Sequence, residues 1–201
     1  MLYRHDITNC LGATAGKGKL ENSAYEQLLA EATDIASELQ AEITAGGLTA
    51  LSLARELDDF PAMEDVAEHL RDNFDRLVVL GTGGSSLGAQ ALTSLVDGEW
   101  YRTPDHLTVD YLDNLDGYSL NRLLTQSNRG RTAFLVVSKS GQTVETVTQF
   151  LTALYAVRET MGEKNLQYHF VLITEAGDNP VRRVAEKFNI QVLDHAPDVG
   201  G

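Results

Sequence analysis

The sequence predicts an α/β fold: a doubly wound, mainly parallel five-stranded sheet that is flanked by helices and preceded by amino-terminal helices. From Arg76 onward, short apolar runs alternate with longer helical patterns, and strands joined by helical crossovers run parallel to one another. The run Phe134-Leu135-Val136-Val137 is apolar throughout, which is typical of a strand covered on both faces of its sheet. Both observations indicate the same layered architecture.

The amino-terminal region before Arg76 reads as helices. Over residues 23–43 the apolar side chains recur at spacings of three and four, which is the period of an amphipathic helix. The pair Gly46-Gly47 ends this pattern, because glycine is a common helix terminator. Two shorter helices are predicted over residues 49–57 and 62–73, and Pro61 precedes the second, a position that proline favours.

The remaining elements follow in alternation. The predicted strands cover residues 77–80, 107–112, 133–137, 168–174 and 190–193. The predicted helices between them cover residues 85–96, 119–127, 143–161 and 180–188. We therefore divide the chain into an amino-terminal helical segment, residues 1–75, and a sheet domain, residues 76–201.

Charge and hydropathy exclude several classes of partner. The formal net charge is −13, whereas nucleic acids and anionic membrane surfaces bind basic patches. No apolar run approaches the roughly 20 residues that a membrane-spanning helix needs. Residues 1–10 lack the pattern of a secretion signal, so we expect a cytoplasmic protein without nucleic-acid or membrane partners.

Cysteine and histidine give no sign of a metal or redox site. Cys10 is the single cysteine, so it cannot form an internal disulfide. The histidines are His5, His69, His106, His169 and His195. They show no paired spacing typical of metal ligands, although His195 follows the last predicted strand and should lie toward the binding edge. We expect no metal and no organic cofactor.

The first unusual loop follows the strand at 77–80 and reads GTGGSSLG over residues 81–88. Its glycines let backbone amides approach a ligand, and the helix that follows directs unpaired N–H groups at it, which favours an anion. A dinucleotide fingerprint would need glycine where Ser86 stands, and a Walker A loop would need Lys-Ser/Thr where Ala89-Gln90 stands. For this loop alone, a tight turn without a ligand is an equally good interpretation.

The second unusual loop follows the strand at 133–137 and reads SKSGQTVET over residues 138–146. Hydroxyls, an ammonium group and a helix start lie close together, and together they could saturate the oxygens of a phosphate monoester. The alternative is a simple helix cap, with Ser140 or Thr143 at the N-cap position and Glu145 favouring the helix dipole. A cap explains one hydroxyl but not the whole cluster.

The two loops in this order resemble the sugar isomerase fold and, within it, the glucose-6-phosphate (phosphoglucose) isomerase family. The matching patterns are G-x-G-G-S-x-L-G and S-K-S-G-x-T-x-E-T. The segment 113–117, DNLDG, resembles the Asn-x-Asp-Gly segment of that family, and Gly200-Gly201 resembles the start of its Gly-Gly-Arg signature. The resemblance concerns the amino-terminal portion of the family, over residues 81–201, and implies that residues 76–201 form a sugar-phosphate-binding domain of the sugar isomerase type.

The resemblance implies roles for seven residues. The substrate phosphate is expected to bind Ser138, Lys139, Ser140 and Thr143, with Lys139 contributing mainly its backbone amide. Gly84 and Ser85 are expected to contact the sugar end of the substrate. Glu145 matches the acidic residue of the motif, which supports the active site near the sugar.

The resemblance also implies an activity: the interconversion of glucose 6-phosphate and fructose 6-phosphate, in glycolysis and gluconeogenesis, by an enzyme that is a homodimer when complete. In the family the proton-carrying glutamate, the arginine after the glycine pair and further His and Lys residues lie beyond the position of Gly201. We therefore expect this chain alone to bind hexose 6-phosphates weakly and to turn them over negligibly.

Two other functions stay open on the sequence. A non-catalytic module that senses a sugar phosphate would need the same phosphate loop and no base. A nucleotide-dependent enzyme is the more remote alternative, because neither glycine-rich fingerprint is complete.

Overall fold

The computed structural model describes residues 6–12, 17–18, 20–53, 57–97 and 107–200. The chain forms two compact units, Met1–Arg55 and Glu56–Gly201. In the described part of the chain, no helix has the length and apolar character that spanning a membrane would demand.

The first unit is helical, as the periodicity predicts. Its main element is α1, Asn22–Thr44, which extends one residue beyond the predicted range at each end. Gly46 follows with a φ of +79°, a conformation that glycine adopts without a steric penalty. The next helix, α2, covers Thr49–Ser52 and is shorter than predicted, and residues 54–56 of the predicted helix lie outside the described residues.

The second unit contains one five-stranded sheet, and every pair of neighbouring strands in it is parallel. The strands are β1 (Arg76–Leu80), β2 (Thr108–Leu112), β3 (Thr132–Val137), β4 (Phe170–Glu175) and β5 (Gln191–His195). Their spatial order is β2-β1-β3-β4-β5. The predicted doubly wound α/β architecture is confirmed.

Six α-helices of the described chain accompany the sheet. They are α3 (Phe60–Asn73), α4 (Gly84–Asp97), α5 (Gly117–Gln126), α6 (Val144–Met161), α7 (Leu166–His169) and α8 (Pro180–Phe188). Helix α7 has no counterpart among the predicted helices, and the predicted strand at 168–174 includes Tyr168, which lies in α7. That prediction is wrong because pairing with β3 begins only at Phe170, and a single helical turn is too short to show a helical period.

Helix α3 packs on the sheet. Its buried residues Val66 and Leu70, followed by Phe74, form a cluster with Leu77, Ala133 and Val171 on one face of the sheet. The change of hydrophobic period at Arg76 places α3 in the predicted amino-terminal segment, residues 1–75. The period reports local structure only, whereas the partner of the apolar face is decided by packing.

The opposite face of the sheet carries the larger core. Its buried residues come from alternate positions of the strands and from α5, α6, α7 and α8. Phe134 and Phe170, on neighbouring strands, stack with ring centroids 5.0 Å apart.

The direction of winding reverses between β1 and β3. The chain leaves β1 toward β2 on one side, returns to β3 on the other, and then continues outward to β4 and β5. In open parallel sheets ligands bind beyond the carboxyl ends of the strands at such a reversal point. Both unusual loops of the sequence leave the sheet there.

Candidate functional site

The glycine bend, residues 81–84, and the hydroxyl loop, residues 138–143, follow adjacent strands at the same edge of the sheet. Leu80 lies opposite Val136 in the parallel register, so both strands end at the same level. A Cβ atom on Gly81 would lie 3.0 Å from the Ser85 carbonyl oxygen and 3.2 Å from that of Val137. Glycine at this position therefore lets the bend pack against the end of β3.

The glycine bend is closed by its own backbone and by one serine. Gly83 has a φ of +56°, and its carbonyl oxygen accepts a hydrogen bond of 3.0 Å from the Ser86 amide. The Ser86 hydroxyl, which is fully buried, also donates to that carbonyl at 3.3 Å. The bend thus presents Gly84, which is exposed, and Ser85, which is half-buried, at the start of α4.

The hydroxyl loop brings Ser138 and Thr143 together. Ser138 is buried, its amide donates to the Ile173 carbonyl at 3.0 Å, and its hydroxyl donates to Oγ1 of Thr143 at 3.2 Å. Thr143 occupies the N-cap position of α6 but makes no capping hydrogen bond with its side chain. The helix-cap interpretation of Thr143 is therefore not supported, and the first amides of α6 are left for another acceptor.

The remaining loop residues lie around this pair. Ser140 is exposed, and its Oγ accepts a hydrogen bond of 3.2 Å from the Gln142 amide. The Lys139 ammonium lies 3.3 Å from Oε1 of Glu175, so the charge of the lysine is already paired. Glu145 is exposed in the first turn of α6, where its charge is favourable to the helix dipole.

A third loop, residues 113–117, follows β2 at the same edge. Asp116 caps α5 by accepting hydrogen bonds from the amides of Tyr118, at 3.3 Å, and Ser119, at 2.9 Å. The pKa of Asp116 is held below its ordinary value, first by a hydrogen bond from the Ser119 side chain and then by these amides. The segment with the Asn-x-Asp-Gly pattern thus begins α5, and it follows β2, which pairs with the strand that precedes the glycine bend.

Gln149 connects this third loop to α6, and sequence reasoning missed it. Its side chain is 1% exposed, and its Nε2 donates to the Asn114 carbonyl at 2.8 Å. Its Oε1 and the Oγ1 of Thr146 are buried without a hydrogen-bond partner among the described residues. The sequence signal for Gln149 is a polar residue at a position where the helix period predicts an apolar one.

The histidines in the described ranges lie apart from these loops or at their margin. His169 lies at the opposite edge, where its Nδ1 donates to the Thr132 carbonyl at 2.9 Å, and burial lowers its pKa. His195 ends β5, and its Nδ1 lies 2.8 Å from the Ala196 carbonyl oxygen. His5 and His106 lie outside the described residues. No cluster of three potential metal ligands occurs within the described ranges.

A cavity of about 500 Å³ lies elsewhere, in the groove between β2 and α5. Its lining includes Arg76 and Arg122, but Nε of Arg76 lies 3.4 Å from Asp110 and Nε of Arg122 donates to Gln126 at 3.0 Å. No residue of the glycine bend or the hydroxyl loop lines this groove. Among the described residues, the uncapped start of α6 beside the Ser138–Thr143 hydroxyl pair, rather than the size of a cavity, singles out the candidate site.

Comparison with known proteins gives consistent relatives. A family model described as phosphoglucose isomerase matches residues 65–200. The "Probable glucose-6-phosphate isomerase" of Methanococcus maripaludis is 27% identical over 99% of this chain and 43% of that protein. The protein of the same name from Natronomonas pharaonis is 31% identical over 92% of this chain and 40% of that protein. The chain thus spans about two fifths of the length of these curated relatives.

Solved structures share the architecture. A hypothetical protein from Thermus thermophilus superposes with a TM-score of 0.70 at 23% identity, over 89% of this chain and 43% of that chain, which shows a common fold. A glucose-6-phosphate isomerase from Chlamydia trachomatis superposes with a TM-score of 0.56 at 26% identity, over 68% of this chain and 25% of that chain. Since the family model matches more than half of the sequence, the chain belongs to the phosphoglucose isomerase family.

Proposed function

We propose that the glycine bend and the hydroxyl loop bind the substrate of an aldose-ketose isomerase that interconverts glucose 6-phosphate and fructose 6-phosphate. The activity would serve glycolysis and gluconeogenesis in the cytoplasm, and the complete enzyme would be a homodimer. Family membership supports the reaction. The observation that carries the site is the uncapped start of α6 beside the Ser138–Thr143 hydroxyl pair.

The phosphate is proposed to bind at the hydroxyl loop. A phosphate dianion is stabilised at a helix amino terminus by the unpaired N–H groups and the helix dipole. The hydroxyls of Ser138 and Thr143 would donate hydrogen bonds to its oxygens. Ser140 would add a third hydroxyl donor, and Lys139 would contribute its backbone amide. The Lys139 ammonium is already paired with Glu175, so its charge adds little to phosphate binding.

The sugar is proposed to extend from the hydroxyl loop toward the glycine bend. The contact between Gly81 and the end of β3 brings the two segments together, so Gly84 and Ser85 would meet the sugar end of the ligand. Glu145 would support the sugar from the first turn of α6. No metal or organic cofactor is part of the proposal.

The chemistry itself needs groups that we assign outside this site. Moving the carbonyl between the first two sugar carbons requires ring opening, a base that carries one proton through an enediolate, and a cation that stabilises the oxyanion. In the family these groups follow the glycine pair that Gly200 begins here. We therefore expect residues 1–201 alone to bind hexose phosphates weakly and to turn them over negligibly.

Titration with 6-phosphogluconate, an open-chain analogue, tests the site. Ser138→Ala and Thr143→Ala each remove a charge-assisted hydrogen bond, worth about 1.5–3 kcal/mol, so the affinity should fall about tenfold or more in calorimetry. The matched control is Thr152→Ala, an exposed threonine farther along α6 whose hydroxyl bonds the Thr148 carbonyl. Unchanged affinity in both loop variants would contradict the proposal.

Two further measurements separate the alternatives. A coupled assay that detected ordinary turnover by residues 1–201 would contradict the assignment of the chemistry to other groups. A sugar-phosphate-sensing module would use the same site without a base. An Arg, an aromatic residue and a Ser encoded after Gly201 would favour the isomerase, whereas a stop or a DNA-binding domain would favour the sensor.

A further inference from the structure

Asn179 is a buried polar residue between β4 and α8, and its side-chain amide is fixed by three hydrogen bonds. Its Oδ1 accepts from the Arg182 amide at 2.9 Å. Its Nδ2 donates to Oγ1 of Thr174 and to the Glu175 carbonyl, both at 3.3 Å. Because a backbone N–H can only donate, the oxygen must face α8 and the nitrogen must face β4. Asn179 is 5% exposed.

The network continues from Asn179 into the hydroxyl loop. Thr174 is fully buried, and its hydroxyl accepts from Asn179 and donates its own proton to the Lys139 carbonyl at 3.1 Å. The Glu175 amide donates to the same carbonyl at 2.9 Å. Two donors from the end of β4 therefore hold the Lys139 carbonyl oxygen on the β4 side of the loop.

This anchoring sets the direction of the next amide. In a trans peptide the C=O and N–H bonds point in opposite directions, and the described chain contains no cis peptide bond. The Ser140 N–H therefore points away from β4. Strands β4 and β1 flank β3 on opposite sides, so the N–H points toward the side on which β1 and the glycine bend lie. Within the described ranges no group accepts a hydrogen bond from the Ser140 N–H.

Asn179 also packs directly on the hydroxyl loop. Gly141 is buried with a φ of +63°, and a Cβ atom there would overlap Oδ1 of Asn179. The amide plane of Asn179 thus fills the space that a side chain at residue 141 would take. The loop is held at two points: at Lys139 by hydrogen bonds and at Gly141 by contact.

We propose that Asn179 is a positioning residue that sets the phosphate-binding shape of the hydroxyl loop through Thr174. The proposal rests on the proposed function, because it assigns the Ser140 amide to the phosphate. Asn179 itself directs both of its donors and its oxygen to protein groups, so it acts through the loop rather than on the ligand.

The first variant to make is Asn179→Ser. Serine is a good N-cap residue, so α8 keeps an acceptor for the Arg182 amide, but the donor to Thr174 is lost. We expect the affinity for 6-phosphogluconate to fall about tenfold, as for the loss of one well-placed hydrogen bond. If Asn179 only capped α8, this variant would bind like the wild type.

Thr174 provides the matched pair. Thr174→Val keeps the shape but removes the hydroxyl, and we expect it to weaken binding about as much as Asn179→Ser does. Thr174→Ser restores the hydroxyl and should recover most of the affinity. Equal binding by the valine and serine variants would overturn the relay through Thr174.

An amide spectrum separates this inference from the proposed function. In ¹H–¹⁵N NMR spectra without ligand, Asn179→Ser should shift the Ser140 and Gln142 amides while the middle of α6 keeps its wild-type signals. If the wild type fails to bind 6-phosphogluconate, the proposed function fails, and the loop signals still test the positioning. If the wild type binds but Asn179→Ser changes neither the affinity nor the Ser140 signal, the positioning role is wrong.

Discussion

The two ends of strands β1 and β3 are built in opposite ways. At the amino ends, the polar groups bond to each other: the Arg131 guanidinium donates to both carboxylate oxygens of Asp75, at 3.1 and 2.6 Å, and to the Asn73 carbonyl at 2.8 Å. At the carboxyl ends, Thr143 leaves the first amides of α6 uncapped. The polar groups at the amino ends are therefore paired with one another, whereas the amide donors at the carboxyl ends stay available to a ligand.

Amide donors at a helix start that no protein group caps are satisfied by water or by a ligand. The amino ends add aromatic packing, with the Phe74 and His169 rings 5.0 Å apart. The carboxyl ends instead use glycines with positive φ at residues 83 and 141. The two edges thus differ in what they leave unpaired: the amino ends pair their polar groups, whereas the proposed binding edge keeps amide donors for a ligand. Three variants test this difference.

The largest expected effect is that of Gly141→Ala. Alanine at a φ of +63° is strained, and its Cβ would overlap Oδ1 of Asn179. Strain and overpacking together should lower the free energy of unfolding by about 2–5 kcal/mol, as measured by urea denaturation. The matched control is Gly83→Ala, with a φ of +56° but no atom within 4 Å of the added Cβ, which should cost only about 1–2 kcal/mol. Equal losses would show that the Asn179 contact is unimportant.

A smaller effect is expected from His169→Gln at the amino ends. Burial is the largest cause that lowers the pKa of His169. The hydrogen bond to the Thr132 carbonyl raises the pKa, and the charge of the nearby His69 lowers it further. The unfolded chain therefore binds the proton more tightly, and the free energy of unfolding should fall as pH drops below about 6.5.

Urea titrations between pH 7.5 and about 5 measure this dependence. His169→Gln should flatten it, whereas the stabilisation linked to the lowered pKa of Asp116 is lost only at more acidic pH, below about 4. A wild-type profile that is flat between pH 7.5 and about 5 would contradict the role given to His169.

The smallest effect is expected from Arg131→Lys. The substitution keeps the charge but removes the planar fork that bonds Asp75, and both side chains are largely exposed to solvent. Surface ion pairs contribute little and are screened by salt. The melting temperature should fall slightly at low salt and match the wild type in high salt. A large loss that persists in high salt would mean that this edge is stabilised by more than surface pairing.

Much of the fold could be predicted from the sequence, because the signals are local. Apolar runs identify all five strands, and helical patterns identify α1, α4, α6 and α8 within one residue at each end. The glycines and hydroxyls of the two loops are equally visible, because turn chemistry and helix starts require particular residue types at particular places.

Parts of the candidate site could not be predicted. Asn179 and Thr174 stand more than thirty residues from the loop that they support, and Gln149 contacts a loop from a different crossover. No period or motif reports such partners, since they meet only when the strands are laid side by side.

By itself, the sequence determined the alternation of strands and helices and the composition of each loop, because backbone conformation responds to neighbouring residues. The tertiary structure alone decided that the two loops leave adjacent strands, that α3 covers the sheet and that Asn179 holds the hydroxyl loop. Those facts depend on strand order and side-chain packing, which are set by contacts between residues far apart in the chain.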